Sequence, residues 1–201
     1  MTIEEARLED VGPGLAPVSP GWFVVNVGEA AWLRNDAFGG RCVFESNRRV
    51  LAARRGVEPQ MFGEIGFTLA VLEPGKPSGM YHAESTQEDF LVLAGTCVLL
   101  VEEQERPLQA WDLVHCPPGT RHTFVGNGDQ PCVIFMTGAR REGDTILYPV
   151  SESALAHDAG VETETPSPAE AYARFEHWRH GRPDAWTDLP WAEERAIDRA
   201  S

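Results

Sequence analysis

MYHAESTQEDFLVLAG, residues 80–95, decides how this chain folds. His82 and Glu84 stand two apart, and side chains at i and i+2 of a strand project to one face. They therefore point together, while Tyr81 and Ala83 point the other way. Glu88 opens the next run after the polar break Ser85-Thr86-Gln87. Phe90 and Val92 share its parity, so the wall beside this carboxylate is expected to be apolar. A second cluster lies downstream. Pro117-Pro118-Gly119 forces a turn, and His122 follows on a strand with Phe124 on its side. If the two strands are neighbours in a barrel, two imidazoles and two carboxylates meet inside an apolar cavity. Such a donor set suits a divalent metal.

The surroundings of this stretch have the same texture. From Gly63 to Gly138 short β-rich runs alternate with turn signals. FTLAVLE meets PGKPSG, DFLVLAG runs into TCVLLVE, WDLVHC meets PPGT, RHTFVG meets NGDQP, and CVIFMTG closes the series. The Ala94-Gly95 step predicts a tight hairpin. No helix-period segment of useful length interrupts these runs, so the pattern predicts a β-sandwich or barrel. Upstream, WFVVNV (22–27) and RCVFES (41–46) read as short strands. Residues 1–20, with three prolines and two glycines, read as a loosely draped arm, and RRVLAARRGVEP reads as a short helix or a loop. Downstream, DTILYPV reads as one more strand and SESALAH as a short helical turn. TPSPAEAYARFEHW predicts the best helix: Ser167 caps it, Pro168 suits its first turn, and Glu170 completes a capping box. Ala171, Phe175 and Trp178 then share a face that packs on the barrel or on a partner subunit. The last stretch, with Trp186 and Trp191, reads as an extended tail. The expected divisions are an arm over 1–60, a barrel over 61–150 and a helical extension and tail over 151–201.

Composition narrows the function classes. A net charge of −14 over 201 residues would repel a phosphate backbone, so no nucleic-acid partner is expected. No apolar run approaches the roughly 20 residues of a membrane helix, and MTIEEARLED is too acidic for a secretory signal. Those features predict a cytoplasmic protein without a membrane partner. Cys42, Cys97, Cys116 and Cys132 form no CxxC pair and read as buried reduced thiols, the alternative being one thiol near the metal.

The segment from Pro74 to Asn127 resembles the cupin superfamily. The first cupin motif is a Gly, then His-x-His, three or four residues, Glu, six residues, and Gly. Here it becomes His82-Ala83-Glu84, three residues, Glu88, six residues, and Gly95. The second motif ends Pro-x-Gly, two residues, His, three residues, and Asn. Here it becomes Pro117-Pro118-Gly119, two residues, and His122, with Asn127 one place late. Glu84 stands where the family usually has its second histidine. Gly75 lies one residue upstream of its usual place, Trp111 replaces an early Gly, and Gly126 replaces the usual Asn.

The resemblance implies an all-β double-stranded β-helix, or jelly roll, with an N-terminal strand arm and a C-terminal helical extension. It implies His82, Glu88 and His122 as metal ligands, with Glu84 fourth by position. A His/Glu/Glu/His set favours Mn²⁺, Fe²⁺ or Zn²⁺ over copper, with Ni²⁺ also accommodated. Glu84 has a second reading as a general acid or base beside the metal. Phe90, Phe124 and Met136 are expected to line the pocket, although core packing explains them equally well. Tyr81, Gln87, His115, His177 and His180 read as structural or surface residues. Family members often dimerise by exchanging strands, so a homodimer is expected. The implied function is a metal-dependent enzyme on a small organic molecule, with isomerase- or oxygenase-type chemistry. The alternatives are a non-catalytic binding or sensor barrel and a metal-free barrel.

Overall fold

The computed structural model describes residues 2–12, 14–45 and 62–192. The segment RRVLAARRGVEP (48–59) lies outside them. The described strands are β1 Leu8–Asp10, β2 Leu15–Pro17, β3 Leu33–Asn35, β4 Gly39–Phe44, β5 Ile65–Leu72, β6 Ala83–Glu84, β7 Glu88–Ala94, β8 Thr96–Val101, β9 Gln104–Gln109, β10 Leu113–Cys116, β11 His122–Asn127, β12 Cys132–Ala139, β13 Ile146–Leu147 and β14 Arg179–His180. The helices are α1 Glu152–Ala156 and α2 Pro168–Ala171, with a 3₁₀ turn over Asp184–Asp188.

Two layers face each other. One is a seven-stranded sheet in the order β10-β7-β12-β5-β4-β3-β14. The other carries β11-β8-β9, and the His82–His122 bridge joins β6 and its partner β13 to the β11 edge. The fold is the all-β jelly roll, a double-stranded β-helix. Ala70, Leu72, Phe90, Val92, Cys97, Phe124, Cys132 and Ile134 fill the space between the layers. The alternate residues of β5 and β12, Leu69, Val71, Val133 and Phe135, pack on the outer face of the large sheet with Trp32, Phe44 and Leu189. Both faces of these strands are covered. This explains why LAVL and CVIFM are continuous apolar runs rather than alternating ones.

Along β5 the inward series runs Thr68, Ala70, Leu72, and along β12 it runs Gly138, Met136, Ile134, Cys132. One end of the barrel is therefore closed by apolar side chains, and the other is lined by polar or small ones. The functional site lies at that second end.

Several local expectations are corrected. Gly95 does not turn a hairpin, because β7 pairs with β10 and β12 while β8 pairs with β9 and β11. The step is a corner at which the chain leaves one layer for the other. It needs glycine: φ is +72°, and a Cβ would lie 2.4 Å from the Pro131 carbonyl oxygen. WFVVNV is not a ladder strand. Only Trp22 bridges, to Glu5, while Phe23, Val25 and Val27 pack against the outer cluster by their alternation alone. The N-terminal arm is a β1–β2 hairpin with Ala6 and Ala16 buried, so it is built in rather than draped.

The C-terminal prediction is right about burial and wrong about helix length. Ser167 does cap, its Oγ accepting from Glu170 N at 3.4 Å, but α2 ends at Ala171. The capping box does not close, because the Glu170 carboxylate takes the Thr165 hydroxyl instead. Beyond α2 the chain winds irregularly, and Tyr172, Phe175 and Trp178 close round Phe38, with ring centroids at 5.5, 4.7 and 6.2 Å. The tail folds back rather than extending. Trp186 and Trp191 meet the fully buried Trp32 at 5.4 and 5.5 Å.

Candidate metal centre

Backbone pairing brings the two histidines together. His82 N donates to His122 O at 3.1 Å, and His122 N donates to His82 O at 2.8 Å. Residues that exchange both bonds face each other across the ladder, and the imidazole rings lie 5.0 Å apart. Each ring is then fixed through Nδ1. His82 Nδ1 meets the Met80 carbonyl at 2.7 Å and His122 Nδ1 meets the Thr120 carbonyl at 3.0 Å. A carbonyl only accepts, so both Nδ1 atoms carry the proton and both Nε2 atoms keep a lone pair.

Glu88 approaches from the opposite layer, at the start of β7. Its Oε2 lies 3.5 Å from His122 Nε2. One ligand atom from each of His82, Glu88 and His122 falls within 4.8 Å of the other two. Glu84 lines the same cavity from β6 but is not in that group of three. Its carboxylate is close enough to Glu88 to act on it electrostatically.

Burial leaves these groups with unusual protonation. Desolvation, then the neighbouring His122, pushes His82 down to about 3. His122 is lowered as well, by burial first. Glu88 is pushed up to about 8, first by burial and then by Glu84. Glu84 is also raised by burial, against the opposing pull of Arg140. Without a cation, then, the site holds two neutral imidazoles and two carboxyls that resist ionising together. A divalent ion would relieve that conflict, and two Nε2 lone pairs with a carboxylate oxygen are the donors it takes. His82, Glu88 and His122 can hold a metal, and the chemistry of the residues fits it.

The triad opens into a cavity of about 1240 Å³. Phe90, Phe124 and Tyr148 line it beside the triad histidines, and Met136, Phe38, Tyr172, Phe175 and Trp178 also line it. Four polar contributors were not singled out in the sequence. Arg140 pairs with Glu45 at 3.1 Å, and both line the cavity with Arg41 and Thr68. Arg41 and Glu45 come from β4 and the residue after it, and Arg140 from the end of β12. No motif spacing ties these positions to His82, and only the topology brings them in.

The other candidates are accounted for structurally. Tyr81 faces away from the cavity but is buried beneath α1, with its hydroxyl 3.3 Å from Glu103 Oε1. His115 is exposed and pairs with Asp89 at 2.6 Å, and Gln87 donates to the same carboxylate. His180 is exposed on β14, while the exposed His177 stands at the cavity rim. All four cysteines are free and buried. Cys116 lies opposite Glu88 in the β10–β7 register, and burial, then Glu88, pushes its thiol up to about 12. It is a neutral thiol in the apolar interior.

Comparison with known proteins bears on the same region. Residues 68–138 match the family model of the cupin domain. A proposed sugar phosphate isomerase of Acidithiobacillus ferrooxidans is 25% identical over 54% of this chain and 64% of that one, with a TM-score of 0.42. This chain thus spans less than two thirds of that relative. A sugar phosphate isomerase from Silicibacter pomeroyi is 25% identical over 56% of this chain and 72% of that one, with a TM-score of 0.43. A Cupin 2 conserved barrel domain protein of Salinispora arenicola is 24% identical over 53% and 79% of the two chains, with a TM-score of 0.41. No curated protein matches the sequence significantly. The two motifs and the jelly-roll topology agree with that match, which makes residues 68–138 similar to the cupin domain.

Proposed function

We propose that this protein is a metal-dependent enzyme acting on a small organic molecule. The observation that carries the reading is the His82–Glu88–His122 group, which lines a cavity large enough for a ligand. A bound divalent ion would supply Lewis-acid polarisation of a substrate oxygen or access to dioxygen. The donor set suits Mn²⁺, Fe²⁺, Zn²⁺ or Ni²⁺.

The protein's own residues divide the remaining work. The Met80 and Thr120 carbonyls hold both imidazoles in the tautomer that presents Nε2. Glu84 stands beside the group with a raised carboxyl and serves as the acid or base that moves a substrate proton. Arg140 moderates the charge of both acids. The aromatic walls exclude water from the bound molecule.

Isomerase-type and oxygenase-type chemistry both fit such a site, and oxygen dependence separates them. Metal-loaded protein assayed against a panel of sugar derivatives and small aromatic or keto acids, under air and under nitrogen, should turn over one class. Turnover in both atmospheres identifies an isomerase, and turnover under air alone identifies an oxygenase. Saturable ligand binding with no turnover would overturn the enzyme reading and leave a binding or sensor barrel. Glu84→Gln should keep the metal and lose turnover.

A further inference from the structure

We propose that Arg41 is the anion-binding residue of this cavity, so that the molecule held beside the metal group carries a carboxylate or a phosphate. This rests on the cavity being the substrate site.

Among the described residues, Arg41 is a cation without a counter-ion. Among the described residues its one hydrogen bond runs from Nη2 to the Ser78 carbonyl, and its guanidinium lies 4.8 Å from the Trp178 ring centroid. Its Nε is buried with no hydrogen-bond partner. No carboxylate among the described residues comes within ion-pair distance of it, although the chain has 31 acidic against 17 basic residues. The other cationic side chain of the cavity, Arg140, has such a partner in Glu45. A partly buried guanidinium left unpaired in an acid-rich chain is suited to hold an anion.

The setting matches that role. Arg41 lines the same cavity as the triad, and its charge acts on His82. It is anchored to Ser78, four residues before His82, so the two groups lie within reach of one small molecule. Gly79 leaves room beside the guanidinium: a Cβ there would lie 2.9 Å from Tyr172 Oη and 3.3 Å from Arg41 Nη2. Trp178 backs the guanidinium plane, and Phe38 and Tyr148 offer apolar surface to the rest of the ligand. A guanidinium fork matches the two oxygens of a carboxylate or phosphate, which a lysine would meet only as a point charge. The competing reading is a purely structural Arg41 that pins Ser78 and Trp178.

Calorimetric titration of the full-length protein with inorganic phosphate, and separately with malonate, tests this. Each titration is run on protein with measured metal content and again after chelation. One of the two anions is expected to bind saturably at one site per chain, which also tells phosphate from carboxylate. Arg41→Gln should weaken that binding at least tenfold with metal content and circular dichroism unchanged. Arg41→Lys should fold and restore only part of it. Saturable binding of neither anion, or equal binding by wild type and Arg41→Gln, would overturn the proposal. If Arg41→Gln does not fold, Arg41→Lys decides, and an affinity equal to wild type overturns it. Stoichiometric metal with no anion binding removes this proposal alone. Arg41-dependent anion binding in a protein that takes up no metal removes the metal reading and leaves this one.

Discussion

Glu84 and Glu88 reach one cavity from two different layers, and this makes them unequal. Glu88 stands with the two Nε2 atoms, while Glu84 acts on it from the side. Glu88→Gln should therefore cut metal content to a small fraction of wild type, whereas Glu84→Gln should leave it within about a factor of two. Elemental analysis of the two variants checks this, and loss of metal in Glu84→Gln would make Glu84 a ligand. A pH dependence follows from the same residues. In the metal-free protein Glu88 titrates near 8, so at lower pH it carries a proton that the metal must displace. Affinity should then tighten as pH rises from 6 to 8, by up to about tenfold per unit, and level off above. His82, pushed down to about 3, and the lowered His122 stay neutral across this window and add no step. Calorimetry in two buffers of different ionisation enthalpy should read release of up to about one proton at pH 7. A flat affinity over that range would contradict the assignment.

At the scale of elements, Gly95 shows what a strand pattern omits. The runs DFLVLA and TCVLLV look the same whether the glycine between them turns a hairpin or a corner. The answer lies in their partners, β10 and β12 for one and β9 and β11 for the other. Gly95→Ala should cost about 2–4 kcal/mol, from the left-handed φ and the approach to Pro131. The shift of a urea unfolding midpoint measures it. The site was legible where local parity governs it: His82, Glu84, Glu88 and His122 all face one cavity. Arg41 and Arg140 were not legible, because nothing local links them to the motifs. Residues 165–178 are an intermediate case. The apolar spacing of Ala171, Phe175 and Trp178 identified side chains that pack in one cluster, but tertiary packing around Phe38 replaced the helix with an irregular wall.

Over the whole molecule, an aromatic cluster ties the C-terminal tail to the barrel. Trp32 packs against Trp186 and Trp191, and its Nε1 donates to the Val27 carbonyl at 2.8 Å. Trp32→Ala should destabilise the fold by about 3–5 kcal/mol, read from chemical denaturation, with metal content per folded chain unchanged. A metal held at the proposed site would stabilise the fold separately. At 100 times its dissociation constant, an ion that binds only the folded state adds about 2.7 kcal/mol, so chelation should lower the melting temperature and re-addition restore it. No helix among the described residues is long and apolar enough to cross a membrane.

The most direct measurement is the metal content of protein purified without a metal-affinity tag, compared with that of Glu88→Gln and His122→Ala prepared in the same way. About one divalent ion per wild-type chain, lost in both variants with the fold intact, is the predicted result. A wild-type protein that stays substoichiometric after growth in metal-supplemented medium, or variants that hold as much metal as wild type, would contradict it.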